Sequence, residues 1–151
     1  MIRIGKLTDY ATVVLASLAD EPERHRAATE LAERTRLSRP TVSKVLKGLQ
    51  RAGLVISARG AQGGYRLARR PEAITAAQIL DVFEGPVAIT ECSGADNQCG
   101  IARQCRVGGA WQRVNAAIRR ALEDLTLKQL AGLDAPQLSV SALAAEIRAT
   151  P

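Results

Sequence analysis

The first regular pattern along the chain is an apolar stripe over residues 6–20. Its members recur at intervals of three and four residues: Leu7, Tyr10, Ala11, Val14 and Leu18. This spacing predicts an amphipathic helix that lays one face on a core. Thr8 is a candidate N-cap for it, and the polar turn EPERHR follows its end.

Two more helices are predicted next, a short one over residues 28–36 and a longer one that runs to about Ala52. A brief turn around Leu37 joins them, Ser38 is a good N-cap for the second, and Gly53 is a natural stop after it. The apolar positions expected to face inward are Leu31, Ala32, Val42, Val45, Leu46 and Leu49.

The spacing of apolar residues then shortens from that of helices to that of β-strands. The runs LVISAR and YRLAR flank the glycine-rich turn GAQGG, which predicts a hairpin over residues 54–68. A further helix is predicted over residues 75–84 with Thr75 as its cap. Its inward residues are expected to be Ile79, Leu80 and Phe83.

No periodicity is visible over residues 85–110, but a helix is predicted over residues 111–125. Its apolar stripe consists of Val114, Ala117, Ile118, Ala121, Leu122 and Leu125. The segment TLKQLAG then forms a turn that ends at Gly132. The tail is weakly patterned, and its SALAAEIR segment is either a short helix or disordered.

This order predicts a mainly α fold with a small β-hairpin wing. Residues 1–70 are expected to form a winged helix-turn-helix DNA-binding domain, because the second of two closely joined helices can lie in the major groove. Residues 71–132 would hold a helix, a loop and a long dimerisation helix. Residues 133–151 would be a C-terminal tail.

The charge distribution supports a DNA-binding function for the first half. Residues 1–70 carry 14 Lys/Arg and 6 Asp/Glu, whereas the remaining residues carry 7 and 9. A basic half-chain is the electrostatic footprint of a nucleic-acid binder, although it also suits plain solubility. The outward positions of the predicted recognition helix are short polar or basic: Ser38, Arg39, Thr41, Ser43, Lys44, Lys47 and Arg51.

The predicted wing adds Arg59, Gln62 and the pair Gly63–Gly64. A glycine-rich tip can approach the minor-groove backbone, and an arginine beside it can enter a narrow minor groove. The plainer interpretation is a solvated helix face followed by an ordinary hairpin.

The three cysteines of the chain, Cys92, Cys99 and Cys105, fall within fourteen residues in the pattern C-x6-C-x5-C. Zinc sites generally contain tight C-x2-C pairs, so a structural zinc is disfavoured. Thiolates also suit iron–sulfur clusters, which generally take four ligands, so one is missing from the loop. His25, the one histidine, lies in a distant polar turn and is read as a solvated residue.

Two alternatives to a cluster stay open for this loop. The cysteines could be three unrelated free thiols, or they could form a metal-free redox switch. Arg103 and Arg106 flank Cys105 and would favour a reactive thiolate in such a switch, although their plainer role is solvated loop charge.

Several other classes of protein are disfavoured. No apolar run approaches the ~20 residues that span a bilayer, and the N-terminus lacks a convincing signal-peptide cleavage site. With unpaired cysteines, this favours a reducing cytoplasm. No acid–base pair, nucleophile–base signature or phosphate loop is present, so an enzyme is not expected. A non-catalytic interaction protein would be favoured if the chain showed no salt-dependent DNA affinity.

The chain resembles the bacterial winged helix-turn-helix regulators that sense iron–sulfur clusters, of the IscR, NsrR and RirA type. The motifs that carry the resemblance are IRIGKLTDYA, ELAERTRLSRPTVSKVLKGLQRAGLV, RGAQGGYRL, the three-cysteine loop and the helix that opens with Trp111. They cover about residues 1–132. Within the family the chain looks most like regulators of SUF-type cluster-assembly operons.

The resemblance implies a homodimer held by the long helix, a palindromic double-stranded DNA operator, and promoter binding controlled by an iron–sulfur cluster. It implies Cys92, Cys99 and Cys105 as ligands. Members of the IscR type have a histidine three residues after the last cysteine, where this chain has Gly108. Members of the NsrR type use an aspartate early in the first helix, on the partner subunit, and Asp9 matches that position.

Asp9 has a plainer explanation, because an acidic residue in the first turn of a helix is favoured by the helix dipole. The cluster type, [2Fe–2S] or [4Fe–4S], stays open. The long helix could also pack within one subunit.

Overall fold

A computed structural model describes residues 3–94, 99–101 and 104–134 of the chain. The helices are α1 (Lys6–Ala19), α2 (Ala28–Thr35), α3 (Arg39–Arg51), α4 (Ala76–Phe83), α5 (Gly108–Asp124) and α6 (Leu127–Leu130). The strands are β1 (Val55–Ala58) and β2 (Gly64–Leu67), and short 3-10 turns lie at Pro71–Ala73 and Glu91–Ser93. No helix in these ranges is long and apolar enough to cross a membrane. The predicted SALAAEIR segment lies outside the described residues.

Helices α1, α2 and α3 pack around an aliphatic core. The stripe predicted for the recognition helix is confirmed, because Val42, Val45, Leu46 and Leu49 are all fully buried. They meet Leu15, Leu18 and Leu31 from the two preceding helices. Fully burying a side chain of this size contributes about 1.5–3 kcal/mol, so this cluster fixes the position of α3 in the molecule.

The start of α1 differs from the prediction. Thr8 is not the N-cap; the cap residue is Gly5, which offers no side chain. The Thr8 side chain is buried, and its hydroxyl donates a hydrogen bond of 2.6 Å to Glu84 Oε1. The same carboxylate oxygen accepts a bond of 3.0 Å from the Gly5 backbone N–H. A carboxylate from the end of α4 therefore accepts from the N–H of the cap residue, as the side chain at the third helical position does in a capping box.

The predicted hairpin is confirmed, with β1 and β2 antiparallel and Val55 paired with Leu67. A backbone bridge between Arg26 and Tyr65 joins β2 to the segment before α2. Gly64 has φ +138°, and a Cβ there would lie 2.5 Å from the Arg26 carbonyl oxygen. Only glycine fits that close approach, so this position fixes the wing against the rest of the domain.

The second half of the chain is built on α4, α5 and α6. Thr75 caps α4 through a capping box, as predicted, and a bridge between Thr75 and Thr126 ties α4 to α6. Helix α5 begins at Gly108, three residues before the predicted start. Of its apolar stripe only Ala117 is buried. The half-buried members, called the α5 stripe below, are Val114, Ile118, Ala121, Leu122 and Leu125.

Candidate DNA-binding face and cysteine loop

The recognition helix begins with a polar pair. Ser38 Oγ accepts a hydrogen bond of 3.3 Å from the Thr41 backbone N–H, and the two hydroxyl oxygens lie 2.8 Å apart. The predicted Ser38 cap is therefore confirmed. Both hydroxyls lie at the N-terminal end of α3, which is the end that reads base edges in helix-turn-helix proteins.

The outer face of α3 is basic and solvated. Arg39, Ser43, Lys44 and Lys47 are exposed, and Thr41 is half-buried. No carboxylate that the structure describes lies within ion-pair distance of Arg39, Lys44 or Lys47. Several other cations of the molecule are paired, including Arg24, Arg34, Arg66, Arg119 and Lys128. This face thus presents cations to a polyanion without a competing carboxylate from the described residues.

The wing extends this basic face. Arg59 and Gln62 are exposed at the turn between β1 and β2, and Arg59 makes no ion pair with any residue that the structure describes. Gln50 of α3 donates a hydrogen bond of 3.0 Å to the Ser57 hydroxyl of β1. A Cβ at Gly63 would lie 2.4 Å from the Ala58 carbonyl oxygen, so the tight turn requires glycine. The wing and the recognition helix are therefore held together as one surface.

A buried arginine that the sequence did not single out supports the wing. The Arg26 side chain is 1% exposed, bonds Glu30 at 2.6 Å and also pairs with Glu21. Its Nε is buried, and no residue that the structure describes makes a hydrogen bond with it. Because the backbone of the same residue pairs with Tyr65, Arg26 links α2 to the wing. Nothing in a polar turn such as EPERHR distinguishes a buried arginine from its exposed neighbours.

The three cysteines are half-buried and form no disulfide. Cys92 lies in the 3-10 turn, with its sulfur 3.1 Å from the Thr90 hydroxyl oxygen. Three soft thiolates in one loop fit iron–sulfur chemistry. In the described residues, however, no three His, Cys, Asp or Glu side chains are close enough to hold a metal ion. The thiol ligands are of a type that fits a cluster, but in the single chain the three sulfurs are not held close together as a ready-made site.

The start of the cysteine loop is bound to α5 through two amides. Asn115 accepts a bond of 3.2 Å from the Ile89 N–H and donates one of 2.9 Å to the Val87 carbonyl. Gln112 donates a bond of 3.3 Å to the Cys92 carbonyl. Asn115 and Gln112 were not among the predicted functional residues; amides on one face of a helix that follows an irregular loop were the available signal.

The two positions considered for a fourth ligand lie in different places. Gly108 is the first residue of α5, and a Cβ there would lie 3.7 Å from the Cys105 sulfur. Asp9 is exposed in the first turn of α1, on the edge of a mostly apolar groove of about 430 Å³ between α1, α4, α5 and α6. One chain does not bring Asp9 and the cysteines into a single group. Arg103 lies outside the described residues, and Arg106 is exposed.

An ion-pair network joins α4 to α5. Arg119 bonds both oxygens of Asp81, at 2.7 and 2.9 Å, and Glu123 at 2.7 Å. The hydrogen bonds that Arg119 donates to Asp81 first, and then to Glu123, raise the pKa of Arg119 above its ordinary value. Because α4 leads into the cysteine loop and α5 follows it, this network fixes the two ends of the loop relative to each other.

Comparison with known proteins places this architecture in a family. Residues 4–132 match the Rrf2 family, described as an iron-dependent transcriptional regulator. The chain belongs to the Rrf2 family. NsrR of Shouchella clausii is 30% identical over 131 residues, which span 85% of this chain and 88% of that protein.

Solved structures of Rrf2 relatives share the fold. CymR, the global cysteine regulator of B. subtilis, has a TM-score of 0.67 at 31% identity and covers 89% of this chain and 99% of its own. T. potens IscR has a TM-score of 0.67 at 28% identity, and the match covers 95% of this chain and 96% of that chain. The chain is therefore a winged helix-turn-helix DNA-binding transcription regulator, and the expectation that it is not an enzyme is confirmed.

Proposed function

We propose that this Rrf2 protein is a dimeric, iron–sulfur cluster-responsive repressor of iron–sulfur cluster assembly genes, acting in the cytoplasm. The observation that carries the proposal is the placement of all three cysteines in one loop that is hydrogen-bonded to α5. The family description as iron-dependent regulators supports it. The likeness to SUF-type regulators noted in the sequence motifs supports the choice of target genes.

On the DNA side, α3 would lie in the major groove and the wing would reach the neighbouring minor groove. Ser38 and Thr41 would reach base edges or phosphates from the N-terminal end of α3. The basic residues of the outer face would meet phosphates, and Arg59 with Gln62 would act from the wing. The absence of competing ion pairs on this face, within the described ranges, supports that role.

The α5 stripe supports dimerisation. Five apolar side chains on one helix stay half-buried in the single chain, whereas their counterparts on α1 and α3 are fully buried. A second copy of α5 would complete their burial and place two recognition helices side by side. A two-fold dimer reads a palindrome whose half-sites lie about one helical turn apart.

Cys92, Cys99 and Cys105 would hold the cluster, with the partner subunit's Asp9 as the fourth ligand. A bound cluster would supply a redox-active centre whose presence depends on iron supply and oxidants. Because Asn115 and Gln112 of α5 are hydrogen-bonded to the start of the loop, ordering of the loop by a cluster would also affect α5. Glu84, just before the loop, bonds the first turn of α1 next to Asp9. The start of the loop thus bonds α5, and the residue that precedes the loop bonds the DNA-binding domain.

A metal-free thiol switch that senses oxidants or nitrosating agents is the second candidate. It is favoured by one observation, namely that the described residues do not gather three metal-binding side chains. The likeness to CymR, described as a global cysteine regulator, is compatible with it. Anaerobic purification separates the two candidates, because stoichiometric iron and sulfide would rule out the metal-free version.

The test of the cluster compares anaerobically purified wild type with Cys99→Ala, and with Ser93→Ala as a matched loop control. Iron, sulfide and visible absorption are measured on each. The proposal expects a coloured, cluster-loaded wild type and control, and a Cys99→Ala protein without the same absorption. A Cys99→Ala protein that keeps the full cluster would contradict the ligand assignment.

The fourth ligand is tested with a rescue. Asp9→Ala is expected to lower cluster occupancy. Gly108→His in the Asp9→Ala background is expected to restore it, because position 108 adjoins the Cys105 sulfur and has room for a side chain. An unchanged spectrum for Asp9→Ala would reduce Asp9 to a residue that favours the helix dipole.

A further inference from the structure

A hollow of about 480 Å³ lies beside the tip of the wing, and Gln62 is the one predicted DNA contact among its lining residues. Three residues of the tip, Ala61, Gln62 and Gly63, form one side of it, and the other side is the chain that leads into α2. Gln62 is already placed on the DNA-binding face. A wing in the minor groove lies between two phosphate strands about 6 Å apart, so its flank faces a DNA backbone.

His25 lines this hollow. The next residue, Arg26, pairs with β2 through two backbone bonds of 2.9 and 2.8 Å and turns its side chain into the core. Because successive side chains of an extended segment point to opposite faces, His25 turns outward, and it is half-buried. No residue that the structure describes makes a hydrogen bond or an ion pair with its imidazole.

The charged groups around His25 are already paired with one another. The Arg24 guanidinium lies 3.0 Å from Glu21 and 3.3 Å from Glu30, and Glu30 also bonds Arg26 at 2.6 Å. The wing contributes only the uncharged residues of its tip to this hollow. Among the charged and titratable side chains that line the hollow in the described part of the chain, the His25 imidazole is therefore the one without an ion-pair partner, so it is available to a phosphate.

We propose that His25 is a further DNA contact, which binds a backbone phosphate beside the wing and makes DNA affinity depend on pH. The inference rests on the DNA binding of the proposed function. Histidine is the side-chain type that ordinarily gains its charge between about pH 8 and pH 5. His25 is the one histidine of the chain, so a pH dependence of DNA affinity that comes from a histidine must come from His25.

The direction of this pH dependence follows from the charges of the imidazole and the phosphate. A phosphate stabilises the protonated imidazole, so DNA binding and proton uptake favour each other. Affinity rises as the pH falls and is lost as the pH rises through the histidine range. A single ion-pair contact that water still reaches corresponds to a change of about two- to fivefold in the dissociation constant.

The experiment titrates a short random-sequence DNA duplex with the full chain at about pH 6 and about pH 8. A random sequence suffices because phosphate contacts do not read bases. Three proteins are compared: wild type, His25→Gln and His25→Lys. Since His25 is half-buried, both variants are expected to fold, and thermal unfolding of each checks this. The comparison with His25→Gln removes the contribution of any other titrating group.

The wild type is expected to bind more tightly at the lower pH, His25→Gln to bind weakly at both, and His25→Lys to bind tightly at both. An equal pH dependence in wild type and His25→Gln would overturn the inference, as would a His25→Lys protein no tighter than His25→Gln. If none of the three proteins binds the duplex at either pH, the DNA-binding part of the proposed function fails instead, so the two failures are distinguishable.

Discussion

The two halves of the molecule differ in how complete they are within one chain. In the DNA-binding half, the inward faces of α1 and α3 are fully buried and the recognition helix is capped by its own Ser38. In the second half, α5 buries only Ala117, its apolar stripe is half-exposed, and the cysteines are half-buried and unpaired. The core of the first half is thus completed within one chain, with Ile74, Ile79 and Leu127 of the second half packed into it, whereas α5 and the cysteines remain partly exposed.

The largest predicted effect is on the free energy of unfolding, and it is tested by comparing one leucine from each half of the molecule. Leu46→Ala removes a fully buried side chain and is expected to lower the free energy of unfolding by about 2–5 kcal/mol. Leu122→Ala, on the half-buried α5 stripe, is expected to cost less at low protein concentration and more as the concentration rises, because association completes its burial. Urea unfolding at several protein concentrations measures both.

Equal, concentration-independent costs for the two leucines would break the comparison. The α5 stripe would then belong to the core of a single chain, and the dimer part of the proposed function would lose its support.

The next effect concerns the support of the wing. Arg26→Ala removes buried hydrogen bonds to two carboxylates and is expected to cost about 1.5–3 kcal/mol of unfolding free energy. Arg24→Ala is the matched control, because Arg24 bonds the same two glutamates from an exposed position; little change is expected. Equal results for the pair, measured by urea unfolding, would show that burial of Arg26 does not matter to the domain.

The smallest effect concerns DNA binding. Lys44→Ala is expected to weaken binding about two- to fivefold and to reduce the salt slope of the binding constant by about one phosphate contact. Lys128→Ala is the control, since Lys128 is paired with Glu72 at 3.4 Å in the second half. A gel-shift titration over several salt concentrations measures both. Equal losses for the two lysines would refute the placement of the DNA-binding face.

The sequence predicted the elements of the DNA-binding half well, because the signals that specify them are local. Apolar spacing identified the buried positions of α3, Ser38 and Thr75 identified two helix caps, and the glycine-rich turn identified the hairpin. Each of these signals lies within a few residues of the element that it specifies.

The features that the sequence did not reveal depend on contacts across long stretches of chain. Threonine is commonly a helix cap, but the Thr8 hydroxyl instead bonds a carboxylate 76 residues away. The buried Arg26 and the bonds from Asn115 to the loop also depend on distant contacts. Helix α5 begins before the predicted residue and includes two glycines, although glycine is a poor helix former.

The central claim, that the cysteine loop controls DNA binding through an iron–sulfur cluster, is tested most directly by one paired titration. Anaerobically prepared protein, with iron and sulfide quantified, is titrated against DNA before and after removal of the cluster by a chelator, with Cys99→Ala measured in parallel. The account predicts that loaded and stripped wild type bind with different affinities and that Cys99→Ala matches the stripped form. Equal affinities for the loaded and stripped wild type would contradict it.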